Sequence, residues 1–120
     1  MQPDTNHPIR IVPHPARIRV LWKGHIIADT TDALMLYEAS YSGVRYVPRS
    51  DVDMTLLTKS SLKTHCPYKG DASYFSLLSD GATAENAIWS YETPFPAVSN
   101  IARYLAFDPE KVEFVENNGP

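Results

Sequence analysis

Short stretches of alternating apolar and polar residues, each cut off by glycine, proline or an Asp-Gly pair, run through this chain. Arg17-Ile-Arg-Val-Leu-Trp22 places Ile18, Val20 and Trp22 on one face, Lys23-Gly24 breaks the pattern, and His25-Ile-Ile-Ala28 resumes it. Side chains alternate across a strand, so two such runs around a glycine predict a hairpin. The clearest run is Asn86-Ala-Ile-Trp-Ser-Tyr-Glu92, with Ala87, Trp89 and Tyr91 on one face and Asn86, Ile88, Ser90 and Glu92 on the other. Pro94 and Pro96 end it. Ala72–Leu78 is another strand candidate, turned at Asp80-Gly81, and Val44–Val47 a shorter one that Pro48 places at an edge or a loop. Ala33–Tyr37 reads equally as a strand or as a short helix capped by Thr31-Asp32, because periodicity does not separate the two over so few residues. Val52, Met54 and Leu56 alternate with Asp53, Thr55 and Leu57, and a polar stretch follows. Ala97–Arg103 suits one short helix, with Val98, Ile101 and Ala102 at helical spacing. Tyr104–Phe107 and Lys111–Val115, around Asp108-Pro109-Glu110, predict a final hairpin with a type I turn. The expected fold is mainly β: a compact single domain of about seven or eight short, mostly antiparallel strands with one or two short helices.

A chain of 120 residues fits one domain. The β domain is expected over residues 16–116. Pro3, Pro8, Pro13 and Pro15 make residues 1–15 an extended arm, either mobile or laid over the domain, and residues 117–120 a tail expected to fray. The net charge of −3 is unevenly spread: +2 over residues 1–30, balanced over 31–78 and −5 over 79–120. An acidic chain without a basic stripe lacks the footprint of a nucleic-acid binder, so that class is not expected. No run approaches the ~20 apolar residues of a membrane helix, so no membrane partner is expected either. One cysteine makes no internal disulfide, and the first ten residues hold no apolar signal-peptide segment. Cytoplasm is the expected compartment.

The chemistry-bearing residues concentrate in Thr64-His-Cys-Pro-Tyr-Lys-Gly70, which holds the only cysteine. A structural zinc site wants four His or Cys ligands in close pairs, and neither CxxC nor HxxxH occurs, so no metal is expected. Pro67 forces an extended backbone on the residues before it, and neighbours on an extended chain point to opposite sides. His65 is therefore not a base for Cys66 merely by adjacency. Lys69 is the better local source of a charge effect if the chain turns at Gly70. Cys66 reads as a nucleophile or as a small buried hydrophobe, and both readings stay open. Lys69-Gly70 invites an anion, but no Walker loop accompanies it. Arg49-Ser50-Asp51 is a second polar cluster or a solvated loop. Trp22, Tyr46, Tyr68, Tyr74, Phe75, Trp89 and Tyr91 supply core area, and those that converge on one cleft form a ligand wall.

Taken in order, Gly24-His-Ile-Ile-Ala-Asp-Thr30, Tyr46-Val-Pro-Arg-Ser-Asp-Val52, His65-Cys-Pro-Tyr-Lys-Gly-Asp-Ala-Ser-Tyr74, Ala87-Ile-Trp-Ser-Tyr-Glu-Thr-Pro94 and Tyr104-Leu-Ala-Phe-Asp-Pro-Glu-Lys-Val112 closely resemble the small bacterial family catalogued as domain of unknown function 427. The resemblance covers about residues 16–116. It implies a mostly antiparallel domain similar to the β-tent of Mss4-like proteins and methionine sulfoxide reductase B, without the paired zinc-binding cysteines of those proteins. The family also carries a nucleotidyltransferase-like label, although no paired-aspartate metal motif is visible in this chain.

Among the residues that coincide with the family pattern, Asp51, Cys66, Lys69, Tyr74 and Tyr91 are the hardest to explain by packing or backbone geometry, and they are expected to meet at one concavity. The resulting expectation is a polar pocket for a small anionic metabolite or cofactor of unknown identity. Lys69 and Arg49 neutralise the ligand, Tyr46, Tyr74, Trp89 and Tyr91 wall it, and Asp51 orients the cations. Cys66 and Lys69 are the catalytic candidates should the domain turn anything over. The competing expectations are an interaction module that docks a protein partner or a second copy of itself, and a nucleotidyltransferase-like enzyme.

Overall fold

The computed structural model describes residues 8–117. Lys23 and Gly24 both adopt left-handed backbone, with φ of 52° and 80°. A two-residue turn of this kind matches the twist of the flanking strands, and glycine enters it without steric penalty. It joins β2 (Arg17–Trp22) to β3 (His25–Thr30), as the alternation predicted, with Trp22 opposite His25. Ile18, Val20 and Trp22 are all buried.

Three antiparallel sheets make up the domain. The first has the order β1 (Ile9–His14), β4 (Ala33–Glu38), β5 (Val44–Tyr46). The second places β10 (Glu113–Asn117) beside β2, with β3 on the far side. The third runs β6 (Leu57–Cys66), β7 (Gly70–Ser79), β8 (Ala82–Ser90), β9 (Ala106–Phe107). Two isolated bridges stitch connecting segments to strands and to each other, Ala28 with Val52 and Val47 with Leu105.

Burying one face of each sheet gives two apolar clusters. The larger contains Ile18, Val20, Ile27, Val47, Phe75, Leu77, Ile88 and Leu105. The smaller contains Leu36, Tyr46, Ala72, Tyr91, Val98, Ile101 and Ala106, and Cys66, Tyr74 and Trp89 pack against it. Aromatic rings with polar tips dominate the rim of this second cluster, which sets the chemistry described below.

The mainly β single domain is as expected, with ten strands rather than seven or eight. The open reading of Ala33–Tyr37 resolves to a strand, and Ile9–His14 of the proline-rich segment lies against it as β1. Residues 1–7 and 118–120 lie outside the described residues. The additional long strand is β6, which falls on the polar stretch. It forms one edge of its sheet and is largely exposed, so its side chains need no apolar alternation. Met54–Leu56 is a single 3-10 turn rather than a continuation of strand alternation, because the Asp53 side chain accepts from the Thr55 N–H at 3.1 Å and caps it. Arg49–Asp51 and Pro96–Ile101 are the other short 3-10 segments, the second burying Val98 and Ile101 as its spacing implied.

The last hairpin is a correction. Asp108 does begin a turn, with the Lys111 N–H donating to its carbonyl at 2.9 Å. The strands on either side then part, β9 joining β8 and β10 joining β2. Each finds a longer partner in a different sheet than the two-residue β9 could offer to β10.

Candidate functional site

The turn Cys66-Pro-Tyr-Lys-Gly70 closes β6 onto β7, with the Lys69 N–H donating to the Cys66 carbonyl at 3.2 Å. Gly70 has φ 115°, a conformation that side-chain-bearing residues rarely adopt, so glycine lets the strand leave the turn. The Phe95 N–H donates to the Lys69 carbonyl at 2.9 Å and pins the turn against the segment after β8. The lysine side chain thereby points inward. Its ammonium donates to Glu38 Oε1 at the end of β4, at 2.5 Å, with only 10% of the side chain exposed. Burial works against this charge. The hydrogen bond to Glu38 and the neighbouring Cys66, Glu38 and Tyr46 outweigh burial, and the Lys69 pKa is raised. Lys69 is a held cation, not a neutral amine.

Tyr91 lies under it, the ammonium 5.8 Å from the ring centroid. Burial is the main reason the Tyr91 phenol pKa is raised, with Cys66, Tyr74 and Glu38 adding to it. Burial raises Tyr46 likewise, against an opposing hydrogen bond with Trp89. Both phenols therefore stay protonated near neutrality and act as hydrogen-bond donors or acceptors, not as anions.

These groups line a cavity of about 350 Å³. Tyr46, Tyr74, Trp89 and Tyr91 form its aromatic walls, Lys69 and Glu38 its ion pair. Leu36 and Val44 close the apolar side, and Asn86 and Asp108 bring an amide and a carboxylate. Alternation along β8 is what aims Trp89 and Tyr91 together, while Ser90 and Glu92 reach the opposite side. Asn86 sits in left-handed backbone, φ 53°, where the β7–β8 register shifts. Such an irregularity re-aims side chains locally.

Five of the residues expected to form one pocket therefore meet: Tyr46, Lys69, Tyr74, Trp89 and Tyr91. Cys66, expected with them, does not line the cavity; it packs against the second core, close enough to influence Lys69 and Tyr91. His65 turns outward as the extended backbone required, and bonds Asp71 at 2.7 Å.

Arg49 and Asp51 are not with them. Arg49 donates to Glu92 at 2.6 Å, to Ser90 Oγ at 3.2 Å and to the Arg103 carbonyl at 3.0 Å. Asp51 accepts from Thr30 Oγ1 at 2.8 Å. Both sit in the 3-10 turn after Pro48, whose neighbours are β3 and the far side of β8.

Glu38 is the charged member of the cavity that the sequence did not single out. Its signal was a carboxylate closing the otherwise apolar run Ala33–Tyr37. Asn86 and Asp108 gave no comparable signal, being an apparent strand member and a turn residue.

Two other concavities differ in character. One of about 600 Å³ is walled by Pro13, Pro15, Pro48 and Tyr104, and one of about 390 Å³ lies beside Lys23 and Glu110. None of the side chains predicted to form a site lines either. No group of three or more His, Cys, Asp or Glu side chains placed to hold a metal occurs among the described residues. No helix among them is long and apolar enough to cross a membrane.

A comparison with curated proteins finds no match. Residues 10–118, nearly the whole chain and all of the cavity, match the family described as domain of unknown function DUF427, and the chain belongs to that family.

Proposed function

We propose that this domain binds a small polar metabolite in the cavity between β4, β7 and β8, with an acceptor group of the ligand, carboxylate or carbonyl, meeting the Lys69 ammonium. The observation that carries the reading is the convergence of a buried ion pair and four aromatic side chains on one cavity of about 350 Å³. Ligand sites combine largely apolar walls with a few convergent polar groups at volumes of roughly 300–1,000 Å³. An ammonium has three donors, and Glu38 takes one of them. Lys69 thus offers further bonds at a place already screened from water. The pairing also narrows the expected ligand, because a carboxylate already stands beside the cation.

The proposal is one of binding, not turnover. A thermal-shift screen of carboxylates, phosphates, nucleotides and amino acids tests it. The wild-type protein is stabilised by at least one class, and Tyr91→Phe and Lys69→Met lose that increment. Stabilisation that survives unchanged in both variants removes the cavity from the function. The competing interaction module needs a continuous apolar surface. The large exposed apolar side chains among the described residues, Ile26, Tyr41, Leu62 and Leu78, stand on β3, a turn, β6 and β7 respectively.

A further inference from the structure

We propose, resting on the binding reading above, that the ligand is a zwitterion with a carboxylate and a protonated amine, as in a free amino acid. The charge pattern of the cavity leads there. Its charged lining residues are Lys69, Glu38 and Asp108, and the Asp108 carboxylate is engaged by the Glu110 N–H at 2.9 Å and by Lys111 at 3.9 Å, which leaves the Lys69–Glu38 pair as the charge set before a ligand. A simple anion entering it meets Lys69 already neutralised by Glu38. A simple cation meets a buried ammonium. A zwitterion satisfies both members of the ion pair, its carboxylate against Lys69 and its amine against Glu38, so that charges alternate around a four-membered ring.

The Tyr91 hydroxyl supplies an independent observation. Tyr91 is 6% exposed and lines the cavity, yet its hydroxyl has no hydrogen-bond partner among the described residues. Arg19 Nε is the one buried side-chain polar atom without a partner among the described residues, so the Tyr91 hydroxyl is a donor open to the cavity, and a ligand oxygen is the partner its position invites. The ring of the protonated phenol lies beneath Lys69, its centroid 5.8 Å from the ammonium, so both residues offer donors to a carboxylate that enters the cavity. The aromatic walls provide the other half. Ring faces attract an ammonium within about 6 Å, and the protein's own Lys69 already occupies such a position over Tyr91.

Titration of the isotope-labelled protein with free L-amino acids, their N-acetyl derivatives and their methyl esters, followed by NMR, tests the proposal. At least one free amino acid shifts the cavity resonances saturably, and both of its capped forms bind at least about tenfold more weakly. Glu38→Gln supplies the sharper sign: it weakens the free amino acid and leaves the N-acetyl form equal or tighter, since the lining loses a negative charge. A merely unfolded or collapsed variant weakens both. Equal binding of free and N-acetyl forms, or binding of simple carboxylates with no free amino acid bound at millimolar concentration, overturns the zwitterion while the cavity stands as a binding site. Absence of binding by any polar probe overturns both readings.

Discussion

Two ion pairs, Lys69 with Glu38 and Arg49 with Glu92, lie to opposite sides of β8, and the contrast between them separates the proposed site from a staple. Each joins one basic and one acidic side chain across different parts of the fold, and each is mostly shielded from solvent. Arg49 spends its donors within the protein: on Glu92, on Ser90 and on the Arg103 carbonyl, with its guanidinium 5.6 Å from the centre of the Phe75 ring. A planar, multi-donor group suits such saturation, and the cluster fastens the Pro48 turn to the end of β8. Lys69 has Glu38, a ring face and a cavity. A group with bonding capacity left over, facing space, is what a ligand needs. Charge and residue type alone do not make that distinction; saturation does.

The largest effect that sharpens the comparison is expected at Lys69. Lys69→Met leaves the Glu38 carboxylate without its cation in a shielded place and costs about 3 kcal/mol by chemical denaturation. Arg49→Met removes several hydrogen bonds to partners nearer solvent and costs about 1–2 kcal/mol. It leaves ligand stabilisation unchanged, whereas Lys69→Met abolishes it. Equal loss of ligand stabilisation in the two variants would erase the distinction between staple and site.

The pH dependence adds a second handle on the same pair. The Lys69 pKa is raised in the folded protein, so its contribution is fully present below the ordinary lysine pKa and is lost as pH rises through the raised folded value. An alkaline fall in stability follows, and Lys69→Met flattens it. Glu116 provides the opposite limb. Burial works against its charge, but hydrogen bonds from His14 and Arg45 prevail and its pKa is lowered. Its contribution is present above the ordinary carboxylate range and is lost as pH falls through the lowered folded value. Glu116→Gln flattens that acid limb and leaves the alkaline one in place, which melting curves across pH resolve.

How far the site was legible in the sequence follows from which residues carry periodic signals. Trp89 and Tyr91 stand two apart on an alternating run, so their shared face was readable directly, and the turn at Gly70 followed from residue type. The mainly β class came from the same alternation. β6 was not legible, because an exposed edge strand has no buried face to write into its sequence. The pairing of Lys69 with Glu38 spans 31 positions and two sheets, and no local pattern encodes it. Arg49 and Asp51 show the converse error. They sit near Tyr46 in the chain, but Pro48 and the 3-10 turn carry them to another face.

Smaller effects complete the series. Asp51→Asn weakens the bond from Thr30 by about 1 kcal/mol and leaves ligand binding intact. Tyr91→Phe removes a hydroxyl that has no partner among the described residues, so stability changes by less than about 0.5 kcal/mol while ligand-induced stabilisation drops. A large stability loss in Tyr91→Phe would mean that the hydroxyl has a structural bond and is no ligand anchor.

The central claim, that the Lys69 cavity and not the Arg49 cluster is the site, is tested most directly by mapping amide chemical-shift changes as small polar metabolites are titrated into the labelled protein. The account predicts saturable shifts centred on Glu38, Tyr46, Lys69, Trp89 and Tyr91, with Arg49, Asp51 and Arg103 unmoved. Shifts centred instead on Arg49, Glu92 and Arg103, or on the proline-walled groove beside Tyr104, would contradict it.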